Sequence, residues 1–553
     1  MTQGLDPRAE EYRARGWWRD VTFLDDLWRQ ARERPHKTAV VGRRRAESRS
    51  ETLDFAELSV LTDRFARGLL ALGVRRGEFV AVQLPNRWEA VALMFACMRV
   101  GAVVCPIAPV CPADELRHRL ELTEARVLVT VPEWDGEPAA AIAVELRDRL
   151  PGLEHVLVAG RTDVDAADFH DHFLTVRTDD EHPLDGLALG PDEPFVVLFT
   201  SGTTGESKGV LHSQNTLYGA VQGYVATLGL DEGLVAAVST PLVHYSGFVQ
   251  GVLTGVLVGG KTVFQDVKDN ASLTEVVEGH GATLIYGPPS TLADVRDAQR
   301  AHPRDVGTLR QAVIGSAPVL PELVDDLADV LGVRTYSLWG MSEFGPVTIT
   351  RTEDPPDVAG YSNGRAMDGL EVRVEPDSAF GGDVGRLWVR GAAQSLGYYK
   401  REEVFAAGFA ADGWFDTGDL ARPDGLGGIR IVCRAKDAVL RDGLVVPAVD
   451  VEAVLESHPK VVEAAVVGLP GADGDVICAV VGVSGGEAPA LDELREHLRA
   501  SGLDPRFLPD RVEPVDVIPR TLTGKVRKAV LRQRYSGAST GGDSGGDQVW
   551  PSP

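Results

Sequence analysis

The sequence predicts an α/β fold: a large N-terminal region of two βαβ-rich lobes plus a small β unit, followed by a smaller α+β C-terminal domain. Three observations predict it. Strand and helix signals alternate over residues 79–131, the same alternation returns over residues 234–343, and after about residue 370 the pattern changes to short alternating runs. Repeated β-α-β order requires a parallel sheet with helices on its faces, whereas short alternating runs belong to antiparallel pairs.

In the first lobe "FVAVQL" (79–84) reads as a buried strand and Pro85-Asn86 as a turn and helix start. "WEAVALMFACMR" (88–99) has helical periodicity ended by Gly101, and "AVVCPI" is the next strand. "ADELRHRLEL" and then "ARVLVTV" repeat the order. Upstream, "RRRAESRS" (43–50) reads as a solvated hairpin loop. In the second lobe "LVAAVSTPL" is a strand, "GFVQGVLTGVLVGG" a helix with a glycine end, and "KTVFQD" a strand. "GATLIYGPPS", "LRQAVIGSAPV" and "VRTYSLWGMSE" each end in a Gly- or Pro-bearing loop. Such loops at strand C-termini form ligand sites in open parallel sheets. "LEVRVEP" and "GRLWVRG" suggest the small antiparallel unit. "VDVEAVLESHP", "VVEAAVVGLP", "VICAVVGVS" and "LDELREHLRAS" suggest a compact α+β unit from about 437. The expected division is 1–435, 436–535 and a disordered low-complexity tail over 536–553.

The chain has 553 residues, 44% hydrophobic and 25% charged, enough for two to four structural units. A net charge of −25 argues against nucleic acid and anionic membrane as partners, but allows small anionic substrates where local loops supply positive potential. No stretch reaches the roughly 20 apolar residues of a membrane helix, and "MTQGLDPRAEEYRARGWWRD" is too polar for a signal peptide. A cytoplasmic protein is expected. The five cysteines, Cys97, Cys105, Cys111, Cys433 and Cys478, have neither metal-ligand spacing nor a disulfide-dense pattern and are expected to be buried thiols.

"TSGTTGESKG" (200–209) follows the apolar run "FVVLF". A glycine loop after a strand exposes N–H groups that can ring a phosphate, with hydroxyls and Lys208 adding donors. It is not a P-loop, because Ser207 stands where that motif has glycine. By composition alone it is equally a plain Gly/Ser/Thr turn. Four further segments follow in order: "SLWGMSE", "GWFDTGDL", "CRAKDAVLRDG" and "RTLTGKVRK". Together the five resemble the core motifs of the adenylate-forming superfamily of acyl-CoA synthetases, aryl and aminoacyl adenylation domains, and luciferases. The resemblance runs from "TAVVGRRRAESRSETLDFAEL" to "GKVRK".

That resemblance implies two half-reactions. A carboxylate attacks the α-phosphorus of ATP to give an acyl adenylate and pyrophosphate, and a thiol, usually of CoA, then displaces AMP. It assigns Thr200, Ser201, Gly202, Thr203, Thr204 and Lys208 to the phosphate loop, and Glu343 to Mg2+. Ser342, where the family commonly has threonine, would bond the α-phosphate. Asp419 would accept the ribose hydroxyls, with Arg434 as a second nucleotide contact, though Cys433 replaces the family's usual glycine before it. Gly315, Ser316 and Ala317 in "GSAPV", with Trp339 and Gly340, would flank adenine. Lys436 would be the hinge about which a mobile C-terminal domain pivots, and Lys525 the catalytic lysine that bridges the carboxylate and the α-phosphate. Taken singly, these residues have plainer uses: Ser342-Glu343 as a helix cap, Asp419 as a turn cap and Trp339 as core. Lys525, among Arg520, Arg527 and Lys528, would be one charge of a solvated face.

By the same resemblance "TPLVHYSGFVQG" forms one wall of the acid pocket. His244 is its gate, and Tyr245, Ser246, Gly287 and Met341 are further wall candidates. The aspartate that pairs with an α-ammonium in amino-acid-activating relatives is absent from "HYSGFV", which favours an aryl, alicyclic or medium-chain acid. Tyr245 replaces the asparagine frequent in aryl-activating members. "PLVHYSGF", "YRARGWWRD" and "VFQDV" are closest to cyclohexanecarboxylate- or benzoate-type CoA ligases. Leu444 and Val445 replace polar residues after Gly443, in the loop that would line the thiol tunnel, and leave the acceptor open. It could be CoA or a carrier-protein phosphopantetheine on a separate chain. Nitrite-activating diazotase chemistry on an aryl amine is a further alternative. Expected partners are therefore a carboxylic acid, ATP, CoA and possibly a carrier protein, with the enzyme a monomer or homodimer.

Overall fold

The computed structural model describes residues 8–175, 183–200, 207–317, 319–471, 474–483, 488–520 and 526–536. Among these the chain forms two large, mostly parallel sheets. The first runs, in spatial order, Arg365–Ala366, Gly345–Ile349, Arg334–Met341, Gln311–Ile314, Leu284–Gly287, Val235–Val238, Lys261–Gln265, Thr38–Arg44 and Arg49–Asp54. The second runs Gly397–Tyr398, Gly209–Ser213, Pro194–Phe199, Val103–Pro106, Phe79–Val82, Val127–Thr130, His155–Val158 and Ala167–Asp168. The predicted pair of βαβ lobes is thus present, with sheet orders that differ from sequence order.

Helices form layers around and between the sheets. Trp88–Val100 is apolar on every side and is buried along nearly its whole length, as expected of a helix enclosed by other elements. With Phe55–Ala71 and Gln214–Leu228 it fills the space between the sheets, in one cluster containing Val80, Val82 and Val104 of the second sheet and Val40, Val238 and Phe264 of the first. The outer face of the first sheet is covered by Leu273–His280, Pro289–Ala301 and Pro321–Leu331. Ala113–Thr123 and Ala139–Arg149 cover that of the second.

The "RRRAESRS" segment is the expected hairpin loop over residues 45–48, between the antiparallel strands Thr38–Arg44 and Arg49–Asp54, but its first two arginines are not solvated. The strand continues through Arg44, which is only 8% exposed and pairs at 2.6 Å with both Glu89 and Glu51. A charge held in the interior needs such partners. Arg43 pairs with Glu275 at 2.7 Å.

Past residue 370 four antiparallel strands, Leu370–Pro376, Gly385–Gly391, Phe415–Pro423 and Ile429–Arg434, form the small β unit. Glu463–Gly471, Gly474–Gly482 and Arg511–Val515 form a further sheet carrying the helices Ala448–Glu456 and Leu491–Ala500. The closing helix Lys528–Ser536, not anticipated from the sequence, packs against it through Leu531 and Tyr535. All five cysteines are buried free thiols, as expected, and burial pushes Cys105 and Cys433 up to about 12. Among the described residues no helix is long and apolar enough to cross a membrane.

Candidate active site

The glycine loop joins two antiparallel strands of the second sheet, Pro194–Phe199 and Gly209–Ser213, so its ends are fixed by the ladder Phe199↔Gly209. The Thr200 N–H donates to the Lys208 carbonyl at 2.9 Å, and the Lys208 N–H to the Thr200 hydroxyl at 3.3 Å. Ser201, Gly202, Thr203 and Thr204 lie outside the described residues, as does Lys525. Ser207, in the place of the P-loop glycine, is buried and bonds Glu115.

Glu343 comes from the other sheet. Arg334–Met341 and Gly345–Ile349 pair as a hairpin with Ser342, Glu343 and Phe344 at its tip. The turn is tight enough that a Cβ at Gly340 would lie 2.3 Å from the Gly345 carbonyl oxygen, which excludes every other residue there. Glu343 is 7% exposed. The two sheets meet at Tyr398. Its strand pairs with Gly209–Ser213 through Tyr398↔Val210, its hydroxyl donates to Glu343 Oε1 at 2.6 Å, and its ring lies 4.8 Å from the Lys208 ammonium. Burial and the Glu343 charge push the Tyr398 hydroxyl up, so it stays a proton donor.

A second fixed point is His212, the fourth residue of the strand after the loop and fully buried. Its Nε2 lies 2.7 Å from the Ser342 carbonyl oxygen, an acceptor, so Nε2 carries the proton; Nδ1 then faces the Thr216 hydroxyl at 2.9 Å. Burial pushes this imidazole down to about 4, which keeps it neutral. Neither Tyr398 nor His212 was among the sequence candidates. Tyr398 sits in "LGYYK", and His212 is the lone ionisable residue in the buried strand "GVLHS". That second pattern was the available signal.

The small β unit supplies the remaining carboxylate. Asp419 and Arg434 face one another on adjacent strands. Arg434 Nε lies 2.8 Å from Asp419 Oδ1, and the Trp339 indole N–H donates to Oδ2 at 3.1 Å. The arginine therefore orients the carboxylate, and Trp339 joins it to the same hairpin that carries Glu343. Trp339 also packs against the cores of the first sheet and the β unit, so its core and site uses coincide. Lys436 lies beside these groups. Its pKa is lowered by burial above all, and then, against the pull of Asp437, by Arg434, Arg532 and Lys208. Cations converging on one spot of an otherwise acidic protein make an anion-binding potential.

The acid-pocket candidates divide. His244, half-buried, places Nδ1 2.8 Å from the Ser246 hydroxyl. Ser246 opens a π-helix, Ser246–Leu253, and also bonds Tyr286, which reaches Ser316 in turn. Ser316 adopts a φ of +73°, in the same loop as Gly315 and Ala317. A Cβ at Gly287 would lie 3.0 Å from the Ser239 hydroxyl and from Thr291. Met341 packs partly buried at the end of the Glu343 hairpin. Tyr245 turns the other way: its ring meets His212 at 5.8 Å and fills the space under Gly345, with its hydroxyl buried and unpartnered among the described residues. Leu444 and Val445 form a two-residue strand in which Val445 is buried and bonded to the Phe380 carbonyl, and Leu444 lies against Gly381.

A single buried carboxylate such as Glu343 suits Mg2+, which takes one or two protein carboxylates and fills its shell with phosphate oxygens and water. Among the described residues no group of three His, Cys, Asp or Glu could hold a metal unaided, so Glu343 fits the group as a partner of bound phosphate.

Comparison with known proteins identifies the family. The AMP-binding enzyme family matches residues 27–399, and the AMP-binding enzyme C-terminal domain matches residues 450–525. The feruloyl-CoA synthase of Amycolatopsis sp. is 33% identical, covering 92% of this chain and 98% of its own. The 2,3-dihydroxybenzoate-AMP ligase of Bacillus subtilis (strain 168) is 31% identical, covering 97% and 98%. The ATP-bound crystal structure of MatB from Rhodopseudomonas palustris superposes with a TM-score of 0.79 at 27% identity, over 94% of this chain and 99% of that one. The adenylate-forming resemblance carried by the five motifs therefore holds: this chain belongs to the AMP-binding enzyme family.

Proposed function

We propose that the protein is an AMP-forming acid–thiol ligase. It activates a small aryl, alicyclic or medium-chain carboxylate with ATP and Mg2+, then transfers the acyl group to CoA. One observation carries the reading: Lys208, Glu343 and the Asp419–Arg434 pair, from separate segments, are tied together by Tyr398 and Trp339. The family membership and the CoA and AMP ligases among the relatives support it.

In the first half-reaction a carboxylate oxygen of the acid bonds to the α-phosphorus, and the bond to pyrophosphate breaks. The loop 200–208 holds the departing phosphates, Lys208 supplying a point charge and Thr200 a hydroxyl. Mg2+, when bound, neutralises phosphate charge. Glu343 is the carboxylate that would hold it, kept in place by the Tyr398 hydroxyl. Asp419, oriented by Arg434 and Trp339, accepts the ribose hydroxyls, and Lys525 stabilises charge at the α-phosphate. In the second half-reaction a thiolate attacks the acyl carbon and AMP leaves. The unit 436–535 turns about Lys436 between the two steps. The phosphopantetheine of a carrier protein, which presents the same thiol arm as CoA, is the second possible acceptor. Five reduced thiols accord with a cytoplasmic enzyme, which we take to act as a monomer or homodimer.

The test is incubation with ATP, Mg2+ and a panel of acids, with and without CoA, following pyrophosphate and AMP. Acid-dependent pyrophosphate release, with AMP release accelerated by CoA, is expected. AMP formation that requires nitrite and an aryl amine would replace this reading with a diazotase, and no acid-dependent release at all would end it.

A further inference from the structure

The two residues that close the glycine loop face opposite sides of the second sheet. Side chains alternate along the strand Gly209–Ser213. Val210 belongs to the core between the sheets, and Leu211 to the core under the outer helices. The alternation carries back into the loop. Lys208, on the Val210 side, brings its ammonium to the Tyr398 ring at 4.8 Å. Ser207, on the Leu211 side, is 4% exposed, and its hydroxyl donates to Glu115 Oε1 on the helix Ala113–Thr123. Arg119, one helical turn on, donates to the same oxygen through Nε at 2.8 Å and lies 4.9 Å from the centre of the Phe199 ring. That ring covers Gly209, where a Cβ would lie 3.4 Å from it. Phe199 and Gly209 are ladder partners, so one helix grips both limbs of the loop from outside.

The helix that makes this grip is itself held. Leu116 and Leu120 are 1% and 2% exposed within the outer core. Glu124, the residue that ends the helix, pairs at 2.7 Å with Lys400, next to the strand that carries Tyr398. The backbone bonds between Thr200 and Lys208 keep the loop's ends together, and the Ser207 hydroxyl adds a bond beyond them. A hydrogen bond to a carboxylate is short and directional. It fixes the rotation of the chain at 207 and, through the alternation, the direction of the next side chain.

We propose that Ser207 is a positioning residue for adenylate formation: Glu115, braced by Arg119, grips its hydroxyl and thereby aims Lys208 at the departing phosphates. The proposal rests on the acid-activating reading above, in which Lys208 supplies charge to those phosphates. Pyrophosphate leaves in the first half-reaction and takes no part in the second, so the grip acts on the first alone.

The experiment compares the wild type, Ser207→Ala, Glu115→Gln and the double variant. Two rates are followed: acid-dependent ATP–pyrophosphate exchange, and CoA-dependent AMP release from a synthetic acyl adenylate of the acid the wild type uses best. Ser207→Ala is expected to lower kcat/KM for ATP in exchange by about 10-fold or more, as loss of a hydrogen bond to a charged group does. The KM for the acid and the rate of AMP release should stay at the wild-type level. Glu115→Gln keeps an acceptor without its charge, about half the strength, so a loss of roughly 3-fold is expected. In the Ser207→Ala background Glu115→Gln should add nothing, because the bond is already gone. Undiminished exchange in Ser207→Ala, losses shared equally by both half-reactions, or additive losses in the double variant overturn the proposal while leaving acid activation standing. Exchange by the wild type with none of the acids overturns both. Should Ser207→Ala not fold, Glu115→Gln decides alone, by whether its loss is confined to exchange.

Discussion

Removing one oxygen from Tyr398 is the sharpest perturbation of the proposed site. Its hydroxyl donates to Glu343 Oε1 at 2.6 Å, in a setting where the tyrosine is 5% and the glutamate 7% exposed. Phenylalanine keeps the ring, and with it the 4.8 Å contact to the Lys208 ammonium, but leaves a buried carboxylate oxygen without its donor. A hydrogen bond to a charged group contributes about 1.5–3 kcal/mol, equivalent to roughly 10- to 150-fold. If Glu343 positions Mg2+ against phosphate, Tyr398→Phe should lower acid-dependent ATP–pyrophosphate exchange by that factor at limiting Mg2+, with partial recovery as Mg2+ is raised. The KM for the acid should hardly move. Tyr398→Leu removes the ring as well, forfeiting a further ~0.5–2 kcal/mol of cation–π attraction, and should raise the KM for ATP beyond the phenylalanine variant. An exchange rate and Mg2+ dependence unchanged in Tyr398→Phe would refute the role given to Glu343. Equal phenotypes for the two variants would refute the role given to the ring.

Asp419→Asn, which weakens both the bond from Arg434 and the capacity to accept a diol, should raise the KM for ATP roughly 10- to 100-fold with little change for the acid; unaltered nucleotide binding by calorimetry would count against it. Lys525→Ala should depress adenylate formation on the order of a hundredfold or more while ATP still binds, and near-normal adenylation would discard its assignment. Lys436→Pro should slow CoA-dependent AMP release more than pyrophosphate exchange; equal losses would remove the hinge. His212 is held neutral by burial, with its pKa near 4 against an ordinary 6.5. Its contribution is present above about pH 6.5 and lost as pH falls through 4. The difference corresponds to roughly 3 kcal/mol. Gln in its place should therefore flatten the fall in Tm between pH 7 and 4, and an unchanged slope would show that His212 does not carry that titration.

Much of the fold was legible because its signals are local. Period-2 runs such as "LEVRVEP", glycine-ended helices such as the one closed by Gly101, and strand–glycine junctions are fixed by backbone sterics and side-chain alternation within a few residues. The reading of the whole arginine run as solvated failed for the complementary reason, although its hairpin turn held. Whether Arg44 meets water or Glu89 is set by a helix 45 residues away.

By itself the sequence determined the alternation of elements, the five ordered motifs and the residue types able to bind phosphate, ribose and metal, since each depends on neighbours along the chain. Only the tertiary structure decided that Tyr398 joins Lys208 to Glu343, that Arg434 and Trp339 share the two oxygens of Asp419, and that Tyr245 faces His212. Those pairings arise where two sheets and a separate β unit meet. Strand order and the direction of each side chain at that junction come from long-range packing, and no window of sequence contains both partners.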